Sequence, residues 1–270
     1  MADTAATVRL AAAASVALQQ LLAGPRQSGT LLGVSEHAAW IGVEDEVVVL
    51  SDRRAIRLPN AIELAVDEVG RWIHNDDAAY IGEGIITVGQ LTAVARRWFD
   101  PRPVLGSCRS VTLESNLAGL SNRLAVPADP QLLEAFRKRD PQQMLDRATK
   151  LLGFGEGLTP EGDDIIAGAI ASHLLLAGAV GRETGCLDAF TEPLHELSRT
   201  RTTSFSASLI RHASAGRVSA PFADLLKALT GRGSLDAATE ELLAVGHTSG
   251  PALVGGILVG GLALSLENAS

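Results

Sequence analysis

The hydrophobic and polar positions divide the chain into two parts with different periods. Short apolar runs broken by glycine, proline and acidic residues occupy residues 28–105 and are typical of strands. From Asp129 onward, apolar residues recur at helical spacing between turn signals. The pattern therefore predicts an α+β protein, with a small N-terminal β-rich domain (a sheet or barrel of short strands) and an all-helical C-terminal domain of closely packed, glycine-rich helices.

The same pattern sets the predicted boundaries. The Ala-rich start predicts a helix over 1–27 that ends at Gly24-Pro25, rather than a signal peptide, because Asp3 accompanies the single Arg9. Segment 91–99 fits a strand or a short helix. We expect a β-rich domain over 28–105, a partly helical transition over 106–130, and a helical domain over 131–270 that carries the site. Strands are expected near 30–35, 38–43, 46–50 and 80–91, and helices over 161–181, 187–198, 202–215, 220–230, 234–246 and 251–266.

Composition refines this picture of the core. The chain of 270 residues is 46% hydrophobic but only 4% aromatic and contains 27 glycines, so its core must consist of small and aliphatic side chains. The apolar run from Pro251 to Leu266 is shorter than the roughly 20 residues of a spanning helix. We therefore expect no membrane span, and we expect the Gly256–Gly260 spacing to mark a close helix contact.

Charge and cysteine content bear on partners and compartment. The net charge of −8 argues against a nucleic-acid partner, which usually requires a basic surface. The two cysteines, Cys108 and Cys186, lie far apart and in no CxxC pattern. A reduced, cytoplasmic setting is therefore expected.

Three polar motifs each precede an apolar helix, and the first is GFGEGLTPEGDDIIAG, residues 153–168. Its glycines predict a tight loop with backbone N–H groups that face an anion, and Thr159 is the expected N-cap of the next helix. The preceding segment is predicted to be helical, which excludes a dinucleotide fingerprint, and no Gly-Lys-Ser/Thr forms a phosphate loop. The paired acids exceed what capping needs, so Asp163 and Asp164 are candidate catalytic residues. Candidate anion-binding residues here are Gly155, Gly157, Thr159 and Gly162.

The second motif is SRTRTTSFSASLIRHASAG, residues 198–216. Arginine beside hydroxyls at a helix start suits a carboxylate or phosphate. For Arg199 a solvated helix start is the favoured interpretation. The candidate anion-binding residues are Arg201, Thr202, Thr203 and Ser204.

The third motif, GHTSGP, covers residues 246–251. A histidine between glycine and two hydroxyls at a helix start can transfer a proton or bind an anion, so His247 is a candidate catalytic residue and Thr248 and Ser249 are candidate anion ligands. We expect the three motifs to meet in one small-anion pocket. No metal or cofactor is predicted, although Asp163 and Asp164 could hold Mg²⁺ or Mn²⁺.

These three motifs resemble the AllH-like family, which contains a subunit of oxamate carbamoyltransferase. GLTP-x-GDD is the most specific string, and RAIRLPNAIEL adds a faint match, so the resemblance covers roughly residues 28–266. It implies a cytoplasmic transferase, or a subunit of one, in ureide or purine nitrogen catabolism. The implied reaction converts oxalurate and phosphate to oxamate and carbamoyl phosphate. Small anions of this kind, partner subunits and homo-oligomers are the implied partners.

Two other functions remain open at this point. The chain could be a non-catalytic subunit that binds a small anion or scaffolds the complex. It could also be a hydrolase or transferase that uses Asp163 and Asp164 with Mg²⁺ or Mn²⁺. In the carbamoyltransferase interpretation, the residue 153–160 loop would stabilise an oxyanion, Asp163 or Asp164 would orient ureido N–H groups, and His247 would carry a proton.

Overall fold

The computed structural model describes residues 8–123 and 128–265. The chain separates into two compact units, Met1–Pro101 and Arg102–Ser270, which are described one at a time. Strands dominate the first unit and helices the second, which confirms the predicted α+β class. The break at residue 101 lies close to the predicted end of the β-rich domain at residue 105.

The first unit is a closed barrel with strand order β1-β5-β4-β3-β2-β6-β7-β8. Neighbours are antiparallel except for two parallel pairs, β1 with β8 and β4 with β5. Closure leaves no free sheet edge among these strands. The strands are β1 Val8–Ser15, β2 Gln27–Val34, β3 Ala38–Val43, β4 Glu46–Ser51, β5 Ala61–Leu64, β6 Ala79–Gly82, β7 Ile85–Val88 and β8 Leu91–Phe99.

Alternating aliphatic side chains fill the barrel interior. On β3, Ala39, Ile41 and Val43 are buried, as the period of two along a strand requires. Leu18 and Leu22 add to the same core from a 3-10 turn, Val16–Leu18, and the short helix α1, Gln19–Ala23. The expected core of small and aliphatic residues is thus present in this unit.

The predicted helix over 1–27 is wrong. Within its described part, Val8–Ser15 is strand β1, and only Gln19–Ala23 is α-helical before Gly24. Alanine favours helix in isolation, but propensity is a weak prior that tertiary pairing overrides. Here β1 pairs with β8 along its whole length and with β5 on its other side. Residues 1–7 lie outside the described residues.

The other strand predictions agree with the barrel. The strands expected near 30–35, 38–43 and 46–50 correspond to β2, β3 and β4, and the region 80–91 contains β6 and β7. Segment 91–99, which fitted either a strand or a helix, is strand β8. The turn at Glu44 places that residue at φ 51°, in the left-handed region.

The second unit is helical, as predicted. Proline occupies the first turn of α3 and of α4, where its missing N–H is not needed, and Asp129 and Asp140 cap these helices. In the described part of this unit the helices are α2 Ser110–Arg123, α3 Pro130–Arg137, α4 Pro141–Leu151, α5 Glu161–Val180, α6 Leu187–Arg201, α7 Ser204–Ser214, α8 Ala220–Leu229, α9 Leu235–Leu243 and α10 Ser249–Leu262.

Two apolar helices, α5 and α10, form the centre of this unit, and glycines set their distance. A Cβ added to Gly168 would lie 2.8 Å from Leu253 O, and one added to Gly260 would lie 2.7 Å from His173 N. Backbones can approach this closely only where side chains are absent. The helix contact predicted from the Gly256–Gly260 spacing is confirmed.

The length and apolar composition of α5 would also suit a membrane-crossing helix. It spans 20 residues, with a mean hydropathy of 1.5 over its most apolar window. However, 67% of that window is buried within the structure. The central helix of a folded core has the same composition, so these two properties are weak evidence of a membrane span.

Candidate functional site

The glycine-rich loop between α4 and α5 begins the candidate site. Gly153, Gly155 and Gly157 have φ of 75°, 115° and 90°, a region that L-residues with side chains rarely adopt. Gly162 follows in the first turn of α5, where an added Cβ would lie 2.8 Å from the Leu151 carbonyl carbon. The glycines therefore permit both the path of the loop and the close approach of α5 to α4.

Asp163, whose side chain is buried, holds the loop in place by hydrogen bonds. Its Oδ1 accepts a hydrogen bond from the Gly153 N–H at 2.8 Å, and its Oδ2 accepts one from the Thr202 hydroxyl. Ser206 also hydrogen-bonds to this carboxylate. Burial raises the pKa of Asp163, and the hydrogen bonds from Thr202, Gly153 and Ser206 oppose that shift. Asp163 thus joins the first and second motifs.

A second link between these motifs comes from Thr203. It is the N-cap of α7, and its Oγ1 accepts a hydrogen bond from the Ser206 N–H at 3.0 Å. The same hydroxyl donates to the Leu158 carbonyl at 2.6 Å. One side chain therefore both caps α7 and holds the far end of the loop.

The third motif reaches the site through Ser249 at the start of α10. Its Oγ lies 2.9 Å from the Thr159 hydroxyl and also hydrogen-bonds to Asp164. The structure therefore brings the three predicted motifs together within the helical unit.

Asp164 has a strongly raised pKa. It is 6% exposed, and burial raises the pKa of its carboxyl to about 7. The negative charges of Asp163 and Glu161 act in the same direction, and the hydrogen bond from Ser249 opposes them. Its Oδ2 is buried and has no hydrogen-bond partner within residues 8–123 and 128–265. A carboxyl group with a pKa near neutrality can exchange a proton with a ligand under ordinary conditions.

The remaining candidate residues lie on the surface around these contacts. Arg201 is exposed in the last turn of α6, and Ser204 is exposed at the start of α7. His247 and Thr248 are exposed just before α10, and Thr248 makes no side-chain capping bond. These side chains are open to solvent, whereas those of Asp163 and Asp164 are buried.

The expected capping role of Thr159 is wrong. Thr159 does not cap α5: the N-cap is Pro160, without a side-chain hydrogen bond, because the Thr159 hydroxyl contacts Ser249 instead. Two histidines of this unit are buried outside the motifs. His212 is 4% exposed on α7, and His173 lies on α5 with its Nδ1 3.1 Å from Gly260 O.

Sequence reasoning gave no weight to Ser206, which follows the hydroxyl-rich run and supports Asp163. It also gave none to two apolar side chains on the loop, Phe154 and Leu158, which are 62% and 47% exposed. Phe154 and Leu158 could have been recognised in the sequence as large apolar residues within a glycine-rich loop.

The metal alternative has little support in this geometry. No group of three or more His, Cys, Asp or Glu side chains is placed to hold an ion in the described ranges, 8–123 and 128–265. Asp163 already accepts hydrogen bonds at both carboxylate oxygens. A divalent cation at the acid pair would have to displace those donors.

Thr203→Val should loosen the loop and weaken α7 together. Losing the cap costs about 1–2 kcal/mol, and the Leu158 tether is lost with it. Chymotrypsin should then cut faster after Phe154. The matched control is Ser234→Ala, which removes the cap of α9 (Ser234 Oγ to Ala237 N, 3.3 Å) and no loop contact. Equal cleavage rates for the two variants would show that Thr203 does not restrain the loop.

Comparison with known proteins gives one match. Residues 151–261 fit the family described as oxamate carbamoyltransferase subunit AllH. No curated protein and no solved structure showed a significant match to the chain. The matched segment excludes RAIRLPNAIEL, so that part of the predicted resemblance stays a prediction. Over residues 151–261, which carry all three motifs, the chain resembles the AllH family, as its sequence predicted.

Proposed function

We propose that this chain is a subunit of a carbamoyltransferase of the oxamate type and supplies a small-anion site at its three motifs. The observation that carries the proposal is their convergence through Asp163–Thr202, Thr203–Leu158 and Thr159–Ser249. The family match covers the same segment. Separate helix starts that meet at one place are a common way to build a site for an anionic ligand.

The proposed reaction transfers a carbamoyl group from oxalurate to phosphate. A phosphate oxygen attacks the carbamoyl carbon, the bond from that carbon to the oxamate nitrogen breaks, and this nitrogen gains a proton. The products are carbamoyl phosphate and oxamate. Such a reaction needs cationic or N–H groups for two anions and a group that delivers the proton.

The accessible residues suit these roles. Arg201 would bind phosphate or carboxylate bidentately, with Ser204 and Thr248 as hydroxyl donors. His247, exposed beside Thr248, would deliver the proton. Gly155 and Gly157 place backbone N–H groups in the exposed loop, where they could face an oxyanion.

The half-buried Thr202 and Thr203 and the buried Asp163 act differently in this proposal. The Thr202 hydroxyl donates its hydrogen bond to Asp163, and the Thr203 hydroxyl donates to the Leu158 carbonyl. These two side chains therefore position the loop rather than the ligand. Asp163 is likewise a positioning residue, because both of its oxygens serve the protein. In this proposal the exposed side chains, which we call the rim of the site, contact the ligand, and the hydrogen-bonded side chains beneath them keep the site rigid. The rim consists of Arg201, Ser204, His247 and Thr248.

The proposal includes partner subunits and a cytoplasmic setting. The matched family is described as a subunit, which implies a complex. The half-buried cysteines Cys108 and Cys186 are free, as expected in a reducing compartment. The nitrogen-releasing breakdown of ureides or purines is the corresponding metabolic setting.

A non-catalytic role is the second candidate, and the exposed Phe154 and Leu158 favour it. Both side chains expose apolar surface on one loop, which a partner protein could cover. In that case the site would bind an anion, and the loop would signal to a catalytic partner whether the anion is bound.

Substitution at the rim tests the catalytic assignment in the reconstituted complex. His247→Ala and Arg201→Ala should each lower kcat/KM by roughly 100-fold, because each removes proton transfer or anion binding. Arg199→Ala is the matched control, since Arg199 is exposed on the same helix and lies 3.7 Å from Glu196. Full activity in both rim variants would refute the catalytic role, and transfer by the partners without this chain would favour the second candidate.

A further inference from the structure

The two adjacent aspartates differ in how many of their carboxylate oxygens accept hydrogen bonds from the protein. Both oxygens of Asp163 accept hydrogen bonds, from Gly153 and Thr202. Asp164 bonds to Ser249, and its Oδ2 is left without a partner in the described part of the chain. A buried polar atom of this kind is costly to the protein, so it calls for an explanation outside the fold. Of the two aspartates, Asp164 is the one with a carboxylate oxygen that accepts no hydrogen bond from the described residues.

The charges around Asp164 indicate which end of a ligand it would meet. Asp163 and Glu161, in the same first turn of α5, are the charged groups that act on it, and both are negative. A carboxylate or phosphate next to Asp164 would therefore be repelled, whereas an N–H donor would be attracted. Arg201 and His247 are exposed and next in sequence to the motif residues Thr202 and Thr248, so in this proposal they would meet the anionic end of the ligand.

Hydrogen-bonded hydroxyl groups link Asp164 to a half-buried side chain of the loop. Ser249 contacts Asp164 on one side and the half-buried Thr159 on the other, and Thr248 next to it is exposed. The hydroxyl contact between Thr159 and Ser249 is the bond that a ligand bound at Asp164 would replace.

We propose that Asp164 is the specificity-determining residue of the site, with its free Oδ2 accepting an N–H of the amide or ureido end of a small anionic ligand. This deepens the proposed function and rests on it for the choice of ligand. The assignment distinguishes Asp164 from Asp163, which the motif alone left equivalent. A ligand with the same carboxylate but no N–H group should lose this contact.

Oxamate and pyruvate form a matched pair for the test, because both have a carbonyl group next to a carboxylate and differ only in an NH2 group (oxamate) against a methyl group (pyruvate) on that carbonyl. Calorimetric titration of the full chain at pH 8, above the pKa of Asp164, should show oxamate binding roughly tenfold or more tightly than pyruvate, as expected for a charge-assisted hydrogen bond. Asp164→Ala should abolish this preference, and Asp164→Asn, which keeps the side-chain shape, should reduce it. Pyruvate affinity should stay within about twofold in both variants. Asp188→Asn, an exposed acid in the first turn of α6, should leave both affinities unchanged.

Several results would overturn this inference without deciding the proposed function. They are equal affinities for oxamate and pyruvate, an unchanged preference in folded Asp164→Ala, and no oxamate binding by the full chain. Binding of Mg²⁺ alone that depends on Asp164 would also overturn it, in favour of a cation. The transfer assay on the reconstituted complex tests the proposed function separately, because loss of activity in His247→Ala does not depend on Asp164.

Discussion

Asp164→Asn should gain stability relative to the unsubstituted chain as the pH rises from 5 to 8. Burial raises the pKa of this carboxyl to about 7, against 3.8 for the free side chain. A raised pKa means that the folded state holds its proton more tightly than the unfolded state. The stabilising effect of that proton is complete below the unfolded pKa and is lost as the pH rises through about 7.

The expected size of the effect follows from the same values. Between pH 5 and pH 8 the unsubstituted chain should lose about 3 kcal/mol of unfolding free energy at this residue, which an asparagine cannot lose. Urea unfolding followed by far-UV circular dichroism at both pH values, with unchanged m values, measures the difference. Asp188→Asn should follow the unsubstituted chain within about 0.5 kcal/mol. Parallel pH profiles for Asp164→Asn and the unsubstituted chain would show that the buried carboxyl does not retain its proton.

The loss of folding stability that Asp164 causes at high pH suggests that this residue is present for ligand binding. A neutral side chain would be more stable at this position above pH 7, so the carboxyl is not explained by folding alone. Asp163, one residue earlier, is explained by folding, because it holds Gly153 and Thr202 in place. Burial raises the pKa of both acids, but only Asp163 uses both of its oxygens to hold other parts of the protein in place, so a ligand contact is needed to explain Asp164 alone.

The sequence could predict the helical unit, because helices depend on local signals, and the polar motif before each of three helices suggests that the motifs share one site. Apolar residues at helical spacing indicate the helices, and each polar motif precedes one. The structure brings residues 153–164, 202–206 and 249 together through their hydroxyls and carboxylates. The roles of Arg201 and His247 in ligand binding stay predictions.

Other features could not be predicted because they depend on distant partners. Strand β1 consists largely of alanine, and its conformation is imposed by β5 and β8, far along the chain. The difference between Asp163 and Asp164 arises in the same way. It depends on Thr202 and Ser249, which are supplied by α6 and α10, and no local pattern shows which carboxylate each one reaches.

Gly256→Ala should be among the most destabilising single changes in the helical unit. Its added Cβ would lie 2.8 Å from Gly168 Cα and 2.9 Å from Ala169 N, where the obstacle is the backbone of α5 rather than a flexible side chain. Overpacking of this kind costs about 1–3 kcal/mol and more where the backbone must move. We expect a loss of about 3 kcal/mol in urea unfolding. Gly178→Ala on α5, where no atom of the described residues lies within 4 Å of the added Cβ, should instead gain about 1 kcal/mol from helix propensity.

The same pair of variants tests whether the close contact positions the site. Ser249 begins α10, so a displacement of that helix from α5 should also separate Ser249 from Asp164 on the facing helix. Gly256→Ala should therefore weaken oxamate binding under conditions where the variant is still folded, while Gly178→Ala leaves it unchanged. Unaltered oxamate affinity in a destabilised but folded Gly256→Ala would contradict this link, because it would mean that the site tolerates a shift between the two central helices.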